Sequence, residues 1–127
     1  MGNGTSIGRV RGLGSAHSGA GTWLNERLTG VASMIVSLYL LFSLLMLPSY
    51  NYLTVHAWIS HPVPATASIL FVFVNFWHAR AGMLVVIEDY IHEHGSKFAL
   101  VTLLNFTAFA GAAFGILSIV RLALGGA

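Results

Sequence analysis

Residues 64–87 read PATASILFVFVNFWHARAGMLVVI, an apolar run in which the only ionisable side chains are His78 and Arg80. At about 1.5 Å of rise per residue, a helix over this run is long enough to cross the roughly 30 Å hydrocarbon layer of a bilayer. A proline at the start of such a helix costs little, because the first helical N–H groups lack intrahelical partners in any case. The run closes on Glu88, Asp89 and Tyr90. A membrane-spanning helix is therefore expected over about 64–87.

Working outward, two more runs of the same kind appear. The first covers about 28–47; Trp23 and Arg27 precede it and suit the membrane interface, and Pro48 ends it. The other covers about 98–122 and contains Gly111-Ala-Ala-Phe-Gly115, a spacing that lets a second helix approach closely in lipid. Glycine and alanine are also common in such helices generally, so both readings of that stretch stand. Residues 49–63, with Tyr50, Tyr52, His56, Trp58, His61 and Pro62 but no Lys or Arg, are expected to form an interfacial loop. The polar connection Glu88–Lys97 is short, which makes the second and third spans antiparallel neighbours. Residues 1–22 are Gly/Ser-rich, carry Arg9 and Arg11, and read as a polar flexible tail. A secretory signal fails there, since the first apolar run starts late, is too long for such a segment and lacks a clear cleavage site. The expected organisation is a tail over 1–22 and a transmembrane domain over 23–127. The fold class is all-α, an integral membrane protein with three transmembrane helices.

Composition agrees. The hydrophobic share of the 127 residues is 56% and the charged share 8%, against roughly 25% charged in soluble domains. Six basic and four acidic side chains cannot cover the large relative surface of so small a chain in water. Lipid must solvate it. The few positive charges are too dispersed for a nucleic-acid surface. Absence of cysteine removes disulfides, iron–sulfur ligation by this chain and covalent haem attachment. Metal chemistry here has to use His, Met, Tyr or carboxylate. The tail and the second connection carry Arg9, Arg11, Arg27 and Lys97, while the opposite side carries only Arg121. The positive-inside rule then puts the N-terminus in the cytoplasm and the C-terminus on the far side.

An ionisable residue deep in a membrane helix is expensive and needs a partner. His78, Gly82, Val85 and Asp89 recur at four, three and four residues, so they share one stripe of a helix. Asp89 sits roughly 16 Å beyond His78 along that stripe, and Gly82 leaves space beside the imidazole. Neutral imidazole is a common axial ligand of haem iron; a hydrogen bond to another helix is the plainer role, and both stay open. No second histidine falls at the depth of His78: His56 and His61 lie to one side, His92 and His94 to the other. A bis-histidine haem would need a partner subunit. Arg80 lies about 200° around the helix from His78; its guanidinium suits either a haem propionate or a lipid phosphate. At the water boundary, the Tyr90 phenol beside Asp89 has the donor and proton relay that reduction of a quinone carbonyl needs. A merely solvated helix end is the competing reading, and a His/Glu-rich metal site over residues 88–94 is a third, to which nothing in the spacing is specific.

The block from His78 through Gly82, Glu88, Asp89 and Tyr90 to His92 closely resembles the second helix of the small hydrophobic membrane anchor of succinate dehydrogenase, respiratory complex II. The opening Gly8-Arg-Val-Arg-Gly-Leu-Gly-Ser-Ala is similar to the tails of alphaproteobacterial versions, and Arg27-Leu-Thr-Gly-Val-Ala to the start of that subunit's first helix. The resemblance covers nearly the whole chain.

It implies a role for each matching residue. His78 falls on an axial ligand of haem b, shared with a larger cytochrome b anchor subunit, and Arg27 on an arginine near the haem propionates. Arg80, the other propionate candidate, stands where some relatives carry an aromatic residue or histidine, a departure from the family's pattern. Tyr90 falls on the tyrosine that hydrogen-bonds ubiquinone, with Asp89 beside it. The resemblance further implies a bacterial inner-membrane assembly in which this chain and the larger anchor form one helix bundle. Flavoprotein and iron–sulfur subunits holding FAD and the clusters would sit on the cytoplasmic face. The chain alone would catalyse nothing; the complex would be a succinate:ubiquinone oxidoreductase. Two alternatives remain: the anchor of a quinol:fumarate reductase, or a haem-free scaffold or transporter component in which His78 and Arg80 join helices.

Overall fold

The structure is a computed structural model that describes residues 19–125. Arg9, Arg11 and most of the expected tail lie outside the described residues. Four helices follow in order: α1 (Gly19–Leu45), α2 (Tyr52–Ile59), α3 (Pro62–Tyr90) and α4 (His94–Ala123). No strand occurs among the described residues. The helices α1, α3 and α4 are each long and apolar enough to span a membrane.

All three run further than the apolar patterns. The first begins at Gly19 rather than near Leu28, so residues 19–22, assigned above to the tail, are helical. Hydropathy locates the stretch that prefers hydrocarbon, and a helix can continue past it into the headgroup layer. Two contacts accompany the extension. The Arg27 guanidinium lies 5.4 Å from the centre of the Trp23 ring, one turn away, and the Thr29 hydroxyl donates to the Asn25 carbonyl at 2.7 Å. At the far end α1 stops at Leu45, after which Leu47 N–H bonds the Leu44 carbonyl in a tight turn and Pro48 has no N–H to continue the ladder. The second span starts at Pro62, not Pro64, with both prolines in its first turn. It ends at Tyr90, which brings Glu88, Asp89 and Tyr90 inside the helix. The third starts at His94.

The expected loop over 49–63 holds a helix instead. Asn51 caps α2, its side chain accepting from Thr54 N–H at 2.9 Å, and the Ser49 and Thr54 hydroxyls meet at 2.8 Å. A short polar cap is a weak signal beside aromatic residues that suit the membrane interface. The α2 helix packs on α3 and α4. Its Trp58 Nε1 donates to Ser43 Oγ of α1 at 2.7 Å, and Ile59 is 4% exposed. It plugs one end of the helical array.

The array is a row and not a closed bundle. Both α1 and α4 pack on α3, and they do not touch each other. Burial follows from this. Among the described residues only Ile59, Pro64, Ala81 and Ile87 are buried, and α1 and α4 contribute none. Side chains such as Leu28, Phe42, Phe106 and Phe114 stay exposed, far more apolar surface than water tolerates.

The glycines of α4 explain how close its neighbour comes. A Cβ on Gly111 would lie 2.5 Å from Cε1 of Phe76, and one on Gly115 would lie 2.9 Å from Cγ1 of Val72. Two α3 side chains thus fill the space those glycines leave, which decides the reading of the Gly-x-x-x-Gly stretch in favour of close approach. Gly111→Val should destabilise the α3–α4 contact by about 1–3 kcal/mol, the usual cost of overpacking. The check is thermal unfolding in mild detergent: Gly111→Val should melt lower, and adding Phe76→Ala should recover part of the loss.

Candidate functional site

Three polar side chains of α3 fall within two turns, and each has a partner on a flanking helix. Asn75 Oδ1 accepts from Ser33 Oγ of α1 at 2.9 Å, while Asn75 Nδ2 donates back to the Phe71 carbonyl at 2.8 Å. His78 Nδ1 lies 3.0 Å from Thr29 Oγ1 of α1. Arg80 Nε donates to Asn105 Oδ1 of α4, with its guanidinium 5.8 Å from the centre of the Trp77 ring. Lipid offers none of these groups a hydrogen bond, so each draws a helix against α3.

The pairs also fix direction. As α3 numbers rise from 75 to 78, α1 numbers fall from 33 to 29, and α4 falls from Gly115 to Gly111 as α3 rises from Val72 to Phe76. Both neighbours are antiparallel to α3. Arg27 and Arg80 are therefore placed on the Tyr90 side of His78 along the helix axis. Arg80, read from sequence as a propionate or lipid partner, has a partner that reading did not name. Its Nε is committed to Asn105, and no other hydrogen bond of the guanidinium occurs among the described residues. Arg27 is exposed and stacked on Trp23.

His78 is exposed, and its Nε2 has no hydrogen-bond partner among the described residues. Two glycines border it. A Cβ on Gly30 would touch the ring edge, 3.4 Å from Cε1 and 3.9 Å from Nε2, whereas a Cβ on Gly82 would meet nothing within 4 Å. The unbroken α3 helix keeps His78, Gly82, Val85 and Asp89 on one stripe. At its end Asp89 and Tyr90 are exposed, the tyrosine at 77%, and neither side chain makes a hydrogen bond to the described residues. Phenol and carboxylate thus stand free at the rim, and any enclosed site there needs walls from beyond the described residues. An open apolar groove of about 480 Å³ lies between α3 and α4, lined by Phe73, Trp77, Phe106 and Phe109 together with Arg80 and Asn105. It sits on the Arg80 face of α3, away from the His78–Asp89 stripe.

No group of three or more His, Asp or Glu side chains among the described residues is arranged to hold a metal ion. His92, Glu93 and His94, though adjacent in sequence, are not brought together as such a group. A macrocyclic iron that needs one axial nitrogen from the chain is a different requirement, and an unpartnered imidazole nitrogen between two small residues fits it.

Sequence reading missed Thr29, Ser33, Asn75 and Asn105. The two asparagines were detectable by the rule that singled out His78 and Arg80, since an uncharged amide within an apolar span also needs a partner. The hydroxyl residues carry no such signal, because in a helix they can bond their own backbone.

In the connection to α4, Glu93 is the helix cap. Its carboxylate accepts from the Gly95 N–H at 2.8 Å and from the Ser96 N–H. Hydrogen bonds from the Ser96 side chain, then from the Ser96 and Gly95 backbones, hold its pKa below the ordinary carboxylate value. A depressed folded-state pKa stabilises the cap above the unfolded value, and that contribution fades as pH falls through the folded value. Amide exchange should therefore show Gly95 and Ser96 losing protection on acidification. In Glu93→Ala that protection should be absent at every pH.

A family model for the succinate dehydrogenase/fumarate reductase transmembrane subunit matches residues 1–112. The chain is similar to the succinate dehydrogenase hydrophobic membrane anchor subunit of Rickettsia conorii, 31% identical over 100 residues, covering 78% of this chain and 79% of the relative. It is 32% identical over 114 residues to the Rickettsia bellii subunit of the same name, covering 85% and 91%. To that of Coxiella burnetii it is 30% identical over 81 residues, covering 64% and 70%.

Proposed function

The chain belongs to the succinate dehydrogenase/fumarate reductase transmembrane subunit family, and from that premise we propose that it is the small membrane anchor of a succinate:ubiquinone oxidoreductase, giving one axial ligand to haem b and part of the quinone site. The observation that carries the reading is the stripe of α3. A histidine whose Nε2 has no partner among the described residues stands on the same helix face as the Asp89 carboxylate, and the exposed Tyr90 phenol follows Asp89 at the helix end.

In this reading His78 Nε2 is the ligand, and a larger cytochrome b anchor supplies the second. Arg27 and Arg80, both on the Tyr90 side of His78, are the candidates to neutralise the propionates; Arg80 is the weaker one, its Nε being bonded to Asn105. When bound, haem b supplies one-electron redox chemistry. At the rim, the Tyr90 hydroxyl donates a hydrogen bond to a quinone carbonyl oxygen, and Asp89 holds or passes the proton that the reduced oxygen takes up. FAD and iron–sulfur clusters belong, in this reading, to soluble partner subunits; for the clusters, the lack of any cysteine in this chain supports that assignment. The charge asymmetry supports those subunits docking at the cytoplasmic end, where Tyr90 lies. The exposed apolar sides of the row suit a second anchor that completes a bundle with this chain.

One observation favours the haem-free scaffold instead: His78 and Arg80 each join α3 to a neighbour, as residues that merely glue helices would. The two readings part on Nε2. A reduced-minus-oxidised visible spectrum of the purified complex should show a b-type signal that His78→Ala abolishes, and an intact complex with no such signal would favour the scaffold. For the quinone role, Tyr90→Phe should lower quinone reduction by about tenfold, the scale of one hydrogen bond worth about 1.4 kcal/mol. Succinate oxidation with a soluble dye should stay unchanged, and equal losses in both assays would count against a local role.

A further inference from the structure

The Thr29 hydroxyl meets three atoms, and its single proton cannot serve all of them. Its Oγ1 lies 2.7 Å from the Asn25 carbonyl and 3.2 Å from the Glu26 carbonyl, both of which can only accept. The 2.7 Å separation is that of a full O–H···O bond, so the proton points back along α1. What Oγ1 offers His78 Nδ1, at 3.0 Å, is a lone pair. The imidazole must then be the donor, which places its ring proton on Nδ1 and leaves Nε2 as an unprotonated lone pair.

We infer that Thr29 is a positioning residue that fixes His78 in the Nδ1–H form and thereby prepares Nε2 to bind iron. The inference rests on the haem reading above and adds a residue to it. A ring N–H held by an acceptor keeps the ligating nitrogen basic and sets the ring's rotation. Gly30, the next residue, completes the arrangement, since any Cβ there would lie against the ring edge at Cε1. Arg80 Nε is bonded to Asn105 on the α4 side of α3, and among the described residues Thr29 is the one hydrogen-bond partner of Nδ1. An Nε2–H form would instead have to draw the hydroxyl proton away from Asn25, and would leave an N–H donor where iron needs a lone pair.

The test uses the whole complex purified in mild detergent, with Thr29→Val and Thr29→Ser compared by haem content per flavin and by haem midpoint potential. Valine keeps the shape and removes the acceptor. The expected result is that Thr29→Ser matches the unaltered complex in both readouts. Thr29→Val should shift the potential positive, because a less basic imidazole stabilises ferric iron less, or should lose haem that Thr29→Ser retains. Unchanged potential and haem content in Thr29→Val would overturn the inference while leaving the haem reading intact, as would equal changes in the serine and valine variants. A complex without any b-type signal, or one that keeps it in His78→Ala, would overturn both. Should Thr29→Val fail to accumulate, Thr29→Ala removes the same acceptor without added bulk and is judged by the same outcomes.

Discussion

A bilayer offers a side chain no hydrogen bond, and the whole arrangement follows from how α3 meets that constraint. Asn75, His78 and Arg80 lie within two turns of a helix that is otherwise almost entirely apolar. Each finds its partner on another helix: Ser33 and Thr29 on α1, Asn105 on α4. Their angular positions differ, so the two neighbours are drawn to different sides of α3. In water such groups would be solvated wherever they pointed. In hydrocarbon they select which helices touch and in what register.

Close packing then refines what the polar pairs begin. Gly111 and Gly115 let Phe76 and Val72 sink against α4, dispersion contacts that substitute for the missing hydrophobic effect between helices in lipid. With α1 and α4 both on α3 and not on each other, no interior is enclosed. A row of three helices exposes most of its apolar side chains, and beyond His78, which α1 flanks, the stripe from Gly82 to Asp89 stays open among the described residues. In the proposed reading, such a row offers a partner half a haem site and an open quinone rim. The same openness explains why no polyligand metal site forms among the described residues.

The interrupted Gly82 side of α3 and the Gly30 side of α1 show a division of labour near His78. One nitrogen of the imidazole is engaged by Thr29, which gives α1 its register; the other is left free beside small residues. A purely structural histidine needs only the first of these. Glu93 does comparable work at the opposite boundary of α3, where its carboxylate starts α4 directly after a short connection and so sets the antiparallel return.

Three spans, their all-α class and the stripe linking His78 to Asp89 were legible in the residues, because hydrocarbon thickness dictates span length and helical geometry dictates which residues align. Helix ends were not. Gly19, Pro62 and Tyr90 lie beyond the apolar runs, and the α2 helix rests on an Asn51 cap within a stretch whose composition suggested a loop. Nor could spacing alone show that Arg80 is held by Asn105, or His78 by Thr29. Those pairings join residues 25 and 49 positions apart, and only the packing of helices brings them within reach. Sequence thus determined which groups the membrane would oblige to find partners; tertiary structure decided who the partners are, because hydrogen bonds act over about 3 Å and distance along the chain carries no such information.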